Sequence, residues 1–141
     1  MKKILFAASE AVPFMKTGGL ADVTGSLPKY FDKKNYDVRV ILPKYVCMEE
    51  RWKGQLHFLC HFYVNLSWRK QYVGIFETTY DGITYYLVDN EFYFAGNAPY
   101  NNIYEDVEKF AFFSKAVLEA LPYLDFCPDI IHCHDWQTGL L

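Results

Sequence analysis

Lys3-Ile4-Leu5-Phe6-Ala7-Ala8-Ser9-Glu10-Ala11-Val12-Pro13-Phe14-Met15-Lys16-Thr17-Gly18-Gly19-Leu20-Ala21-Asp22-Val23 is the stretch on which the fold turns. Residues 4–8 form an unbroken apolar run, the pattern of a parallel strand covered on both faces. A loop follows, marked by Pro13 and the pair Gly18-Gly19. From Leu20 the period changes. Leu20, Val23, Leu27, Tyr30 and Phe31 fall on one helical stripe, and Pro28 is placed to kink or shorten that helix. Val38-Arg39-Val40-Ile41-Leu42 reads as the next strand, stopped by Pro43. Strand, glycine loop, helix and strand make one βαβ unit with its glycines at the first turn.

Outward from that unit the pattern shifts. Residues 56–64 and 72–88 are rich in aromatic and β-branched side chains, and Asp81-Gly82 predicts a hairpin turn between strands at 75–80 and 83–88. This is an antiparallel region inserted in, or extending, the parallel sheet. A long helix is predicted over 104–121, with Glu105, Asp106 and Glu108 in its first turn, where the helix dipole favours negative charge, and Pro122 ending it. Phe110, Ala111, Phe112 and Phe113 make it apolar nearly all round, as for a helix buried on more than one side. Asp129-Ile130-Ile131-His132-Cys133-His134 reads as a third parallel-type strand, and Asp135-Trp136-Gln137-Thr138-Gly139 as a loop opening another helix. A chain that stops where a helix begins is expected to be part of a longer one. The fold class is α/β: a Rossmann-like open parallel sheet with an antiparallel hairpin region.

Composition excludes several functions. The net charge of -3 leaves no basic footprint for nucleic acid or for an anionic membrane. The N-terminal apolar run has five residues, short of the roughly 7–15 of a signal peptide, and no stretch approaches the ~18 of a membrane span. Cys47, Cys60, Cys127 and Cys133 lack disulfide-like spacing, so reduced, partly buried thiols in a cytoplasmic protein are expected. His57, Cys60 and His61, and the trio His132, Cys133 and His134, invite a metal reading. Strand alternation puts His132 and His134 on one face and Cys133 on the other, unlike a closed four-ligand site, so no metal is expected.

The loops after the first and last strands lie at the sheet edge where open α/β folds bind ligands. A glycine pair before a helix lets backbone N–H groups approach a ligand, and the helix N-terminus favours an anion. Lys16 adds a full charge, which makes a cradle suited to a diphosphate. The loop is neither a Walker A motif nor the G-x-G-x-x-G fingerprint, which argues against a nicotinamide-binding domain. Taken alone, the glycines equally permit a tight turn and the lysine a solvated surface position.

The opening stretch, with Lys16-Thr17-Gly18-Gly19-Leu20-Ala21-Asp22-Val23, closely resembles that of bacterial glycogen synthases and plant starch synthases. Three further matches come in order: Asp37-Val38-Arg39-Val40-Ile41-Leu42-Pro43, the helix with Phe110-Ala111-Phe112-Phe113-Ser114, and Pro128-Asp129-Ile130-Ile131-His132-Cys133-His134-Asp135-Trp136. The resemblance spans the chain and is weakest over 50–80.

It implies an incomplete N-terminal domain (residues 1–141) of a GT-B-type glycosyltransferase, with the C-terminal nucleotide-binding domain outside this chain. The implied activity is transfer of glucose from ADP-glucose to the non-reducing end of an α-1,4-glucan, with retention and without metal or other cofactor. The implied partners are ADP-glucose and the glucan acceptor. Lys16, Gly18, Gly19 and Asp22 match the donor side; Glu10, Tyr100, Asp135, Trp136 and Gln137 match the acceptor side. Gln137 departs from the His common at that place, and a Gln can hydrogen-bond a hydroxyl but cannot titrate. The family's catalytic residues lie beyond Leu141, so none is expected in this chain, and the chain alone is expected to be inactive. From the residues alone, Asp135 also reads as a helix N-cap, Trp136 as a packing residue and Asp22 as a first-turn acid. The alternatives are another GT-B sugar-nucleotide transferase and a non-catalytic glucan-binding module.

Overall fold

The structure is a computed structural model and describes residues 1–141. Six strands form one sheet: β1 (Lys2–Ala7), β2 (Tyr36–Pro43), β3 (His57–Leu66), β4 (Arg69–Tyr80), β5 (Ile83–Asp89) and β6 (Ile130–Cys133). Their order is β3-β4-β5-β2-β1-β6. β5, β2, β1 and β6 are parallel neighbours, whereas β3 and β4 pair antiparallel. The antiparallel region therefore extends the parallel sheet at its β5 edge. Asp81 and Gly82, with φ of 51° and 79°, make the left-handed two-residue turn that joins β4 to β5.

The apolar run in β1 is covered on both sides. Leu5 and Ala7 join a cluster of 20 buried residues on one face, and Ile4 and Phe6 join one of 11 on the other. The larger cluster lies under α3 (Ile103–Ala120), which contributes Phe110, Phe112, Phe113, Ala116, Val117 and Ala120. Asn102 caps α3, its side chain accepting from the Glu105 N–H at 3.1 Å, and a 3-10 turn holding Pro122 ends it. A four-residue helix, α2 (Glu50–Lys53), follows β2. No helix is long and apolar enough to cross a membrane.

Two expectations change. α1 (Gly19–Ser26) runs into a 3-10 turn over Leu27–Tyr30, as Pro28 foretold, but it presents the opposite face. Its buried residues are Ala21, Thr24 and Gly25, while Val23, Leu27 and Tyr30 are exposed. The reason is distance. A Cβ on Gly25 would stand 2.3 Å from Val12 Cγ2 and 2.7 Å from the Val12 carbonyl oxygen, so only small side chains can face the loop. The cysteines are unpaired, but Cys127 and Cys133 are exposed rather than partly buried.

Candidate functional site

The parallel strands leave the sheet at their carboxyl ends through the segments 8–18, 44–49 and 90–102, the edge where α/β folds place ligands. The first segment is pinned on both sides. Ala8 N–H donates to Ile41, Val12 N–H to Ala21, and the Thr24 hydroxyl to the Glu10 carbonyl at 2.6 Å. The Val12–Pro13 peptide is cis.

Glu10 is the hub, at 3% exposure. One carboxylate oxygen accepts from the N–H groups of Thr17 (2.6 Å) and Gly18 (3.3 Å). The other accepts from the Thr17 hydroxyl (2.8 Å) and the Tyr100 phenol (2.8 Å). Four donors fill the accepting capacity of the carboxylate, so in this state Glu10 braces the glycine loop and has no lone pair to offer a ligand. Tyr100 is also 2.6 Å from the Ser9 hydroxyl, and Tyr45 donates to the Ser9 carbonyl at 2.6 Å. Burial pushes the Tyr100 phenol up; the Ser9 hydroxyl pulls the other way, and the Glu10 carboxylate adds to the rise. Tyr100 therefore stays a donor to Glu10 at neutral pH.

Beyond the brace, the loop is open. A Cβ on Gly18 or Gly19 would meet no atom within 4 Å. Gly18 has φ -165°, a conformation open to any residue. As the first helical residues, Gly19 and Leu20 have N–H groups with no partner inside the helix, and Gly18 provides no side-chain cap. Nothing within the fold demands glycine here. Lys16 lies beside these amides, with Nζ 2.8 Å and 3.0 Å from the two carboxylate oxygens of Asp22. Each side chain is 54% exposed, so the pair is worth about 0–1 kcal/mol and parts readily for a competing anion.

The second group reaches the same place through aromatic packing. The Phe110 ring lies 5.9 Å from Tyr100 and 5.6 Å from Trp136. Asp135 sits at the N-cap of the 3-10 turn Trp136–Thr138, where its carbonyl accepts from the Thr138 N–H but its side chain makes no capping bond. Its φ of 61° is rare for a residue with a Cβ and carries strain, a feature that concentrates at functional sites. Asp135 and Trp136 are exposed, whereas Gln137 is buried, with its side-chain oxygen unpartnered. The structure thus joins Glu10, Lys16, Gly18, Gly19, Asp22 and Tyr100 closely, sets Asp135 and Trp136 beside them, and turns Gln137 inward.

One pair escaped sequence reasoning. Asp106 is a buried anchor as well as a first-turn acid: its carboxylate accepts from the Asn101 N–H at 3.1 Å and stands 3.5 Å from Lys109 Nζ. Lys109 also donates to the Pro99 carbonyl at 2.7 Å. The two side chains are 5% and 7% exposed and together hold the loop that carries Tyr100. The signal was present as an acid and a lysine three apart on an otherwise apolar helix face. On the α1 side, His132 and His134 both pack on Phe6, with ring centroids 4.7 Å and 5.0 Å away. No three His, Cys, Asp or Glu side chains converge as a ligand set.

Comparison with known proteins bears on this geometry. The family model described as the starch synthase catalytic domain matches residues 3–141. A glycogen synthase of Lachnoclostridium phytofermentans is 69% identical over the whole chain, and one of Lachnospira eligens is 64% identical. The chain spans about 30% of the length of each of these relatives. The catalytic domain of starch synthase IV from Arabidopsis thaliana, solved with ADP and acarbose, superposes with a TM-score of 0.82 at 31% identity, over 98% of this chain and 28% of that one.

Proposed function

The chain belongs to the starch synthase catalytic-domain family, and from that premise we propose that its protein transfers glucose from ADP-glucose to the non-reducing end of an α-1,4-glucan, with retention of configuration. In this reading residues 1–141 are the acceptor-presenting part of a GT-B enzyme, and the nucleotide-binding domain and catalytic residues lie elsewhere in the protein. The four unpaired cysteines suit the reducing cytoplasm as the place of reaction.

One observation carries the proposal: the glycine pair faces empty space at a helix N-terminus, beside a lysine, where the fold itself needs no glycine. A missing Cβ that no neighbour requires is explained by a ligand that closes on the backbone. The unpartnered amides and the helix dipole suit a diphosphate. Lys16 then leaves Asp22 and offsets the charge that grows on the departing nucleoside diphosphate, which favours the transition state. Asp22, released from Lys16, can accept from hydroxyls of the glucose. On the acceptor side, Tyr100 and Trp136 offer ring faces and Asp135 a free carboxylate.

The test is glucose incorporation into glycogen by the full-length protein, with ADP-glucose and UDP-glucose compared. Strong preference for ADP-glucose is expected, and Lys16→Ala should cut turnover severely with the circular dichroism spectrum unchanged. Near-normal turnover in that variant, or a preference for UDP-glucose, would overturn the assignment.

A further inference from the structure

The N-terminal half of α3 carries a buried ion pair on a helix whose other buried side chains are, Ser114 aside, apolar. Lys109 Nζ stands 3.5 Å from an Asp106 carboxylate oxygen, and the two side chains are 5% and 7% exposed. Charges taken out of water are repaid only where the geometry is good, and apolar residues of similar volume often stabilise a fold as well or better. Stability alone therefore gives no reason for the pair.

Its contacts do. Both carboxylate oxygens of Asp106 accept from the Asn101 N–H at 3.1 Å, and Lys109 Nζ donates to the Pro99 carbonyl at 2.7 Å. Those two backbone groups belong to the peptide planes on either side of one residue, Tyr100. Holding both planes fixes the two soft dihedrals of Tyr100 between them. Phe110, the residue after Lys109, packs on the ring itself, with centroids 5.9 Å apart. The phenol then lies 2.6 Å from the Ser9 hydroxyl and 2.8 Å from the Glu10 carboxylate, whose other oxygen accepts from the Thr17 and Gly18 N–H groups.

We propose that Asp106 and Lys109 are positioning residues for the reaction: they hold the peptide groups flanking Tyr100 and, through its phenol and Glu10, set the Gly18–Gly19 backbone. The inference rests on the reading of that loop as the donor site. Apolar burial is non-directional and lets a loop slide over the surface it covers. A charge-assisted hydrogen bond fixes direction as well as distance. The Tyr100 phenol has to meet two partners at once, so a slide of residues 99–101 breaks one of them. An ion pair in place of apolar packing removes that slide, which gives a use to the desolvation it costs.

The experiment compares the full-length protein with its Asp106→Asn/Lys109→Met variant. No charge is left stranded, so the urea midpoint should stay near that of the parent. Met has no donor for the Pro99 carbonyl, and Asn accepts through one oxygen where the carboxylate uses two. The ADP-glucose KM should rise about tenfold, part of the roughly hundredfold that ~1 Å of misplacement can cost. A merely structural role would instead reduce the active fraction, lowering kcat and leaving that KM in place. Adding Tyr100→Phe cuts the phenol link, and in that background the pair substitution should raise the KM no further. Amide hydrogen exchange over residues 16–20, which needs no transfer activity, should quicken in the pair variant. Faster exchange in a protein that transfers no glucose would sink the synthase reading and keep the clamp. An unchanged ADP-glucose KM at an unchanged midpoint would overturn the clamp. So would parental exchange over 16–20, or an undiminished tenfold effect in the Tyr100→Phe background. If the double variant fails to fold, Lys109→Arg reads the same quantities, since it keeps the charge beside Asp106 but replaces a point ammonium with a planar fork.

Discussion

Replacing Glu10 with Gln separates a brace from a sugar ligand. The carboxylate accepts four hydrogen bonds at 2.6, 2.8, 2.8 and 3.3 Å and is 3% exposed. The amide keeps one accepting oxygen and turns an N–H₂ group toward the other donors. If the oxygen stays with Thr17 and Tyr100, the Thr17 and Gly18 N–H groups lose their partner and face an N–H₂ group instead. Each donor left unpaired in a buried site costs about 1–3 kcal/mol. The longer Gly18 bond belongs at the low end of that range, and the loop relieves part of the cost by opening, leaving about 2 kcal/mol in the placement of the Gly18–Gly19 backbone. The expected result is roughly a thirtyfold loss in kcat/KM for ADP-glucose, since 1.4 kcal/mol is tenfold. The assay varies donor at saturating glycogen and then glycogen at saturating donor. A brace moves the donor parameters and spares the glycogen KM. If Gln raises the glycogen KM and leaves the donor untouched, Glu10 is a sugar ligand and the brace argument is refuted. Glu10→Asp, one methylene shorter, should behave like Gln although it keeps the charge.

Three other outcomes follow from the same contacts. Gly25→Ala should lower stability by about 1–3 kcal/mol through overpacking against Val12, whereas Gly18→Ala, with nothing within 4 Å, should leave the urea midpoint unchanged and raise the donor KM. Lys109→Met strands the buried Asp106 carboxylate and should cost about 3 kcal/mol or more in urea unfolding. Burial, with His132 adding to it, lowers the His134 pKa below its ordinary 6.5, so below that value the unfolded chain binds more protons than the folded one. Stability is therefore complete above pH 6.5 and falls as the pH drops below it, and His134→Phe should flatten that part of a urea-midpoint profile.

What the sequence disclosed and what it concealed divide along a physical line. Residues 4–8 were legible because a strand buried on both faces must be apolar at every position, a demand that leaves no second phase; 38–42 keeps that pattern except at the half-buried Arg39, which pairs with Asp37. The Asp81-Gly82 turn was legible because two successive left-handed residues admit few side chains. α1 was misread for a different reason. Its period was right and its phase wrong, because the face held against the loop is made of Ala21, which accepts from the Val12 N–H, Thr24, which donates to the Glu10 carbonyl, and Gly25, which lies against Val12, and not of large apolar residues. Hydrophobic size signals burial only where there is room to fill. The motif residues of the site were visible as a resemblance, yet their wiring was not. No spacing rule links Glu10 to Tyr100, 90 positions away, or Lys109 to the Pro99 carbonyl. The resemblance placed Glu10 among residues that meet the acceptor. The contacts give it a prior obligation to the glycine loop, the segment proposed to meet the donor. Because one carboxylate holds both Tyr100 and the Thr17–Gly18 backbone, a shift of Tyr100, proposed to face the acceptor, must be felt at the glycine loop. That places the two halves of the site on one hydrogen-bonded hub.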